Sequence, residues 1–154
     1  MKVLVDVNVF IDVLTRRMNW AGSLQVLHLV RNIPQLEGWA SALTVPLLYF
    51  FRLRVFPEAQ ARMDAQTAVR GFHLVPLTEE VLAKAAASTL PDFEDNIQLA
   101  SAESVGAEYL ITRNIKDFQP SPLPVLTPEA WLALESVTTL SVGQTQIAIK
   151  DDKE

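Results

Sequence analysis

The 154-residue chain contains no cysteine, which excludes disulfides and thiolate zinc sites. Histidine is nearly absent too. His28 and His73 are the only two, so a histidine-rich metal centre is not expected. Long apolar runs are missing. The longest, such as Val45–Phe51, fall far short of the roughly 20 residues that span a bilayer, and no membrane association is expected. Met1-Lys2 leads directly into a strand pattern, without a signal-peptide layout, so a cytoplasmic location is expected. Excess positive charge is also lacking: 13 basic against 18 acidic residues give a net charge of −5. That argues against a general nucleic-acid coat, while leaving room for an acidic metal site beside a local basic patch, or for a basic protein partner. Hydrophobic residues, at 49%, are abundant enough for one globular domain with a sizeable core. For metal chemistry there remain carboxylate and amide oxygens, which suit Mg²⁺ or Mn²⁺.

The stretch that organises the chain is Lys2–Leu14, KVLVDVNVFIDVL. Lys2–Val5 reads as a short buried strand. Continued as an extended chain, it turns Asp6 and Asn8 to the same face, before a helix over Phe10–Arg17. A second helix is expected over Trp20–Ile33, ended by Pro34, and a strand over Glu37–Ser41. Thr44 is a candidate cap for an apolar helix to about Arg54. Another helix follows from Pro57 to about Val69, then a strand over Phe72–Pro76 and a helix from Thr78. Asp92-Phe93-Glu94-Asp95 opens a helix rich in small residues that ends near Gly106. Tyr109–Thr112 is a fourth strand, Ile115–Phe118 a short turn, Val125-Leu126 a fifth strand, and Thr127-Pro128-Glu129 a helix start. Strands alternating with helical patterns indicate an α/β domain with a mostly parallel sheet of about five strands flanked by helices. It spans residues 1–135, followed by a tail, 136–154, with the options of an extra strand, a subunit contact or disorder.

In parallel sheets, functional groups gather beyond the carboxyl ends of the strands. Asp6 and Asn8 end the first strand, and Asn114 and Asp117 follow the fourth. Asp95 lies one turn into a helix that leads to that strand. Three separated segments thus bring oxygen ligands toward one point. Such a set suits a divalent cation that holds a phosphate and lowers the pKa of a bound water. Without it, the carboxylates would repel one another and the substrate. The chemistry implied is hydrolysis of a phosphate ester by water. Each piece also has a plainer reading. Asp92 and Asp95 form a D-x-x-D helix start that favours the macrodipole without any metal. Asn114 suits a turn, Asp117 a solvated surface, and Asp12 a surface or supporting position.

Taken together, VDVNVFIDVL, SALT with a tyrosine-bearing apolar helix, DFEDNIQLASAESVGAEYLITRNIKDF and PVLTPEAWL resemble the PIN-domain family, in the branch grouped with VapC-type toxins. The resemblance runs from about Lys2 to Leu134. It implies a PIN fold, a Mg²⁺- or Mn²⁺-dependent endoribonuclease cutting RNA, frequent homodimers and a small antitoxin partner. By position it makes Asp6 the first metal ligand with Asn8 beside it, and Asp95 a main ligand. Asn114 stands where many relatives carry a further aspartate, with Asp117 close by. Thr112 falls near the site, and Arg113 and Lys116 are candidates to meet phosphate.

One departure stands out. The family places an acidic or amide residue at the start of the third helix, and here that position is Leu47. No acid occurs between Gly38 and Glu58. Either Asp12, Asp92 or Glu94 compensates, directly or through water, or the domain is a degenerate one that acts as a binding module. A third option, a phosphatase with an aspartyl nucleophile at Asp6, lacks an aspartate at position 8. Tyr49, Phe50 and Phe51 cannot all face inward, which leaves part of their helix for a dimer contact. Arg16, Arg17, Arg52 and Arg54 are candidates to flank an RNA groove.

Overall fold

The computed structural model describes residues 1–142. Five strands, β1 (Lys2–Val5), β2 (Glu37–Ser41), β3 (His73–Val75), β4 (Tyr109–Ile111) and β5 (Val125–Leu126), form one sheet in the order β3-β2-β1-β4-β5. All pairings are parallel. The central strand β1 is the most buried, and its alternation divides the core. Val3 and Val5 face one apolar cluster while Leu4 faces the other.

The first cluster is covered by α1 (Val7–Thr15), α2 (Trp20–Asn32), α3 (Thr44–Leu53), α4 (Glu58–Ala68) and α7 (Pro128–Leu132), which contribute Phe10, Val30, Leu48, Ala65 and Trp131. On the opposite face, α6 (Phe93–Ser104) lies against β1, β2 and β4, with α5 (Glu79–Ala87) outside it. The small residues Ala100, Ser101 and Ala102, all buried, permit that close approach. A hydroxyl contact of 3.1 Å between Ser101 and Ser41 fixes α6 to the carboxyl end of β2.

From β1 the chain winds outward through β2 to β3. It then crosses to the other side of β1 to make β4 and β5. The order therefore reverses between β1 and β4, where parallel sheets open a crevice at their carboxyl ends. Asp6 and Thr112 are the residues that follow those two strands.

The helix after β1 starts earlier than the sequence pattern indicates, at Val7 rather than Phe10. Asp6, in extended conformation, is its N-cap, and Asn8 lies within the first turn rather than on a continued strand. Thr44 does not cap α3: Leu43 is the N-cap, with no side-chain capping bond. Residues 135–142 are helical, and Val137 is buried against the first cluster. The rest of the tail, 143–154, lies outside the described residues. Among the described residues no helix is long and apolar enough to cross a membrane.

Candidate active site

Asp6 is fully buried. Its backbone N–H donates to Ile111 O at 2.9 Å, which locks the end of β1 to β4. Its Oδ2 accepts from the Thr112 hydroxyl at 2.8 Å and from Asn8 Nδ2 at 3.2 Å. Asn8 therefore meets Asp6 across the first helical turn and not along a strand face. Thr112 is itself set in place. Its N–H donates to Leu126 O at 2.9 Å, and its Oγ1 accepts from the Asn114 N–H at 3.1 Å. One threonine thus orients Asp6 and the start of the loop carrying Asn114 and Asp117. Burial raises the Asp6 pKa, opposed by the side-chain bonds from Thr112 and Asn8 and by the backbone N–H groups of Val7 and Asn8. The second carboxylate oxygen, Oδ1, is buried and accepts from no side chain.

The first turn of α6 faces the same point. Asp92 is its N-cap, accepting from Glu94 N–H at 2.8 Å and Asp95 N–H at 3.2 Å, a cap worth about 1 kcal/mol. The plainer reading of Asp92 therefore holds, but it does not exhaust Asp95. Half-buried, Asp95 has its pKa pushed up to about 7, first by burial and then by the charges of Asp6, Asp92, Asp117 and Glu94. Charges from the end of β1 and from the turn after β4 reach one carboxyl group on α6. That is the convergence of three segments expected from the sequence.

A cleft of about 530 Å³ is lined by Asn8, Leu47, Phe50, Phe51, Arg54, Asp92, Glu94, Asp95, Gln98, Asn114 and Asp117 among others, while Asp6 and Thr112 are buried and do not line it. Leu47 stands in the cleft wall, where the family pattern puts an acid or amide. Among the described residues no three acidic or histidine side chains stand close enough to hold an ion by themselves. The donors are all oxygen, carboxylate and amide. The buried Asp6 carboxylate acts on Asp95, whose own pKa is raised. Such a set fits a hard divalent cation, with water or amide oxygen completing the coordination.

Two expected substrate contacts are located elsewhere. Arg113 points away from the cleft: Nε reaches Asp12 Oδ2 at 2.5 Å, and Nη1 reaches the Glu129 carboxylate at 2.7 and 2.8 Å. Its Nη2 donates to Ser23 Oγ at 2.9 Å and to Asn19 O at 2.6 Å. With its donors directed to the protein, Arg113 joins β4 to α1, α2 and α7 instead of meeting a phosphate. Asp12, whose Oδ2 accepts from Arg113 and Ser23, does not line the cleft. Lys116 is exposed on the 3₁₀ turn Ile115–Phe118 and does not line the cleft. Of the four arginines considered for a groove, Arg54 lines it. Arg52 is paired with Asp64 at 2.7 Å, while Arg16 and Arg17 lie over Trp20 and Phe51.

Gln98 was not singled out by the sequence pattern. It is buried, lines the cleft, and has no hydrogen-bond partner for either amide atom, an arrangement that costs about 1–3 kcal/mol. Its signal was present in the spacing D-x-x-Q, which puts Gln98 one helical turn beyond Asp95 on the same face.

A family model described as PIN domain matches residues 2–116. No curated protein matches the sequence. Among solved structures, the fold is similar to a toxin–antitoxin complex from Klebsiella pneumoniae, at 26% identity over 82% of this chain and 97% of that one, with a TM-score of 0.62. It is similar also to VapBC-1 from nontypeable Haemophilus influenzae, at 19% identity over 84% of this chain and 99% of that one, TM-score 0.66. FitAcB from Neisseria gonorrhoeae aligns at 19% identity over 82% and 98% of the two chains, TM-score 0.64.

Proposed function

Because the chain belongs to the PIN-domain family, we propose that it is a divalent-metal-dependent endoribonuclease, the toxin of a toxin–antitoxin pair. The observation that carries this reading is the gathering of Asp92, Glu94, Asp95 and Asp117 in one open cleft, with the charge of the buried Asp6 acting on the same Asp95 carboxyl. That much negative charge repels an RNA phosphate unless a cation stands between them. Asp6 and Asp95 would hold that Mg²⁺ or Mn²⁺, with Asn114 able to offer its amide oxygen and Asp117 a further carboxylate in the same cleft. When bound, the cation supplies Lewis-acid stabilisation and a water of lowered pKa.

The chain's own groups do the positioning. Thr112 and Asn8 hold Asp6 in one orientation. Arg54 at the wall offers a donor to phosphate, and Phe50 and Phe51 offer ring faces for unstacked bases. The antitoxin reading is supported by the solved toxin–antitoxin complexes that share the fold. Pairing with a second copy belongs to the same reading, supported by the exposure of Leu53, Val55 and Phe56 where α3 ends.

The experiment is cleavage of a labelled RNA mixture by purified protein with Mn²⁺ or with EDTA. Cutting is expected with Mn²⁺ and not with EDTA. Cutting that persists in EDTA, or none at all with Mn²⁺ at high protein concentration, would exclude this chemistry.

A further inference from the structure

Gln98 lies on α6 three residues from Asp95 and three from Ser101, so it neighbours each of them on the helix surface. Ser101 is fixed to the end of β2 through Ser41, and Asp95 opens onto the cleft. Gln98 therefore has little freedom to turn elsewhere. It is 1% exposed, it lines the cleft, and its carbonyl oxygen and its NH₂ group are both without a partner. The other buried polar side chains of α6 are partnered: Asn96 donates to Leu90 O and Ser101 meets Ser41. A buried amide with nothing to bond, facing a polar cleft, is a group whose partner arrives from outside the chain.

Its depth argues against a role in reading a base, which would have to reach an almost inaccessible atom. Two further facts identify the partner. Asp6 Oδ1 is a buried carboxylate oxygen that no side chain meets, and the charge of Asp6 acts on Asp95 at the cleft. Carboxylates alone do not complete a cation site: although several share the cleft, no three of them among the described residues stand close enough to hold an ion by themselves, and Leu47 adds none. The oxygen set is short of a member, and the amide oxygen of Gln98 is the buried, unused one.

We propose that Gln98 is the uncharged member of the metal-binding oxygen set, its amide oxygen facing the divalent cation in place of the carboxylate that Leu47 does not supply. This rests on the metal-dependent reading above and adds to it how a site without the third-helix acid still holds its ion. A neutral ligand leaves more positive charge on the cation, and so a stronger pull on phosphate, at the expense of affinity for the ion.

The test is a Mn²⁺ titration followed by the electron paramagnetic resonance signal of free Mn²⁺, on the full chain and on Gln98→Leu, Gln98→Glu and Asp95→Asn, with thermal melts of each without metal. Gln98→Leu is expected to melt no lower than the wild type without metal, because it removes an unpaired buried amide. It is expected to bind Mn²⁺ about tenfold more weakly. Gln98→Glu is expected to bind Mn²⁺ several-fold more tightly, which keeps the inference testable if the leucine variant fails to fold. Unchanged Mn²⁺ affinity in the glutamate variant, or in a folded leucine variant, while Asp95→Asn loses binding, would overturn the role of Gln98 and leave the metal site standing. A large drop in the melting temperature of metal-free Gln98→Leu would mark the amide as structural and overturn it too. A wild type that binds no Mn²⁺ would overturn both readings together.

Discussion

Asp95→Asn is expected to stabilise the metal-free protein at and above neutral pH while abolishing RNA cleavage. Asp95 has its pKa pushed up to about 7 by burial and by Asp6, Asp92, Asp117 and Glu94, whereas an unfolded chain returns it to about 3.9. A carboxyl group whose folded pKa lies above its unfolded one contributes stability that is fully present below the unfolded pKa. That contribution is lost as pH rises through the folded pKa. Between about pH 4 and pH 7 the metal-free wild type should therefore weaken, and the asparagine variant should not share that loss. The group is half-exposed, so after discounting for solvent screening the gain at pH 8 is about 1–2 kcal/mol, a few degrees in Tm for a domain of this size. The two proteins should converge near pH 4. Adding Mn²⁺ should raise the wild type and not the variant. Cleavage should fall by more than the 10–100-fold typical of groups that merely support a ligand. Thermal melts across pH, with and without Mn²⁺, decide the matter by sign. If Asp95 only favoured the α6 macrodipole, its replacement would lower stability by about 0.3–1 kcal/mol.

Leu47→Glu should act in the opposite sense on both quantities. The side chain lies in the cleft wall on α3, so a carboxylate there joins a cluster already rich in negative charge. Without metal, the variant should melt several degrees below the wild type at pH 8, because an added like charge raises the cost of ionising the others. With metal, the extra anionic ligand should tighten Mn²⁺ binding by about tenfold or more, at least ~1.4 kcal/mol. Calorimetric titration of both proteins measures this. If the wild type neither binds Mn²⁺ nor cuts RNA while Leu47→Glu does both, the loss of this acid has retired the chemistry, and the domain works by binding alone.

Much of the fold was legible because the chain is punctuated where its physics requires. Pro34 and Pro57 fall at helix boundaries, Thr78 and Thr127 cap helices by accepting from Val81 and Ala130 N–H, and the short apolar strands are too brief to be helices. The start of α1 was not legible. Asp6 and Asn8 come together in the structure, but across a helical turn, because Asp6 serves as the N-cap of α1 directly at the end of β1. A two-residue spacing cannot distinguish those geometries. The reach of Asp95 toward Asp6 followed from a parallel sheet with functional groups beyond its carboxyl ends. The partner of Arg113 did not, because Glu129 and Asp12 lie 16 and 101 residues from it in sequence. Neither did Gln98, whose meaning lies in having no partner. Only a folded chain reveals that.

The central claim is that a divalent cation sits in this cleft, and anomalous scattering from crystals grown with Mn²⁺ tests it most directly. The account predicts a peak within bonding distance of an Asp95 carboxylate oxygen, on the side of Asp6 Oδ1 and the Gln98 amide. A well-diffracting crystal with no peak in the cleft, or with Mn²⁺ bound only at some other surface, would contradict it.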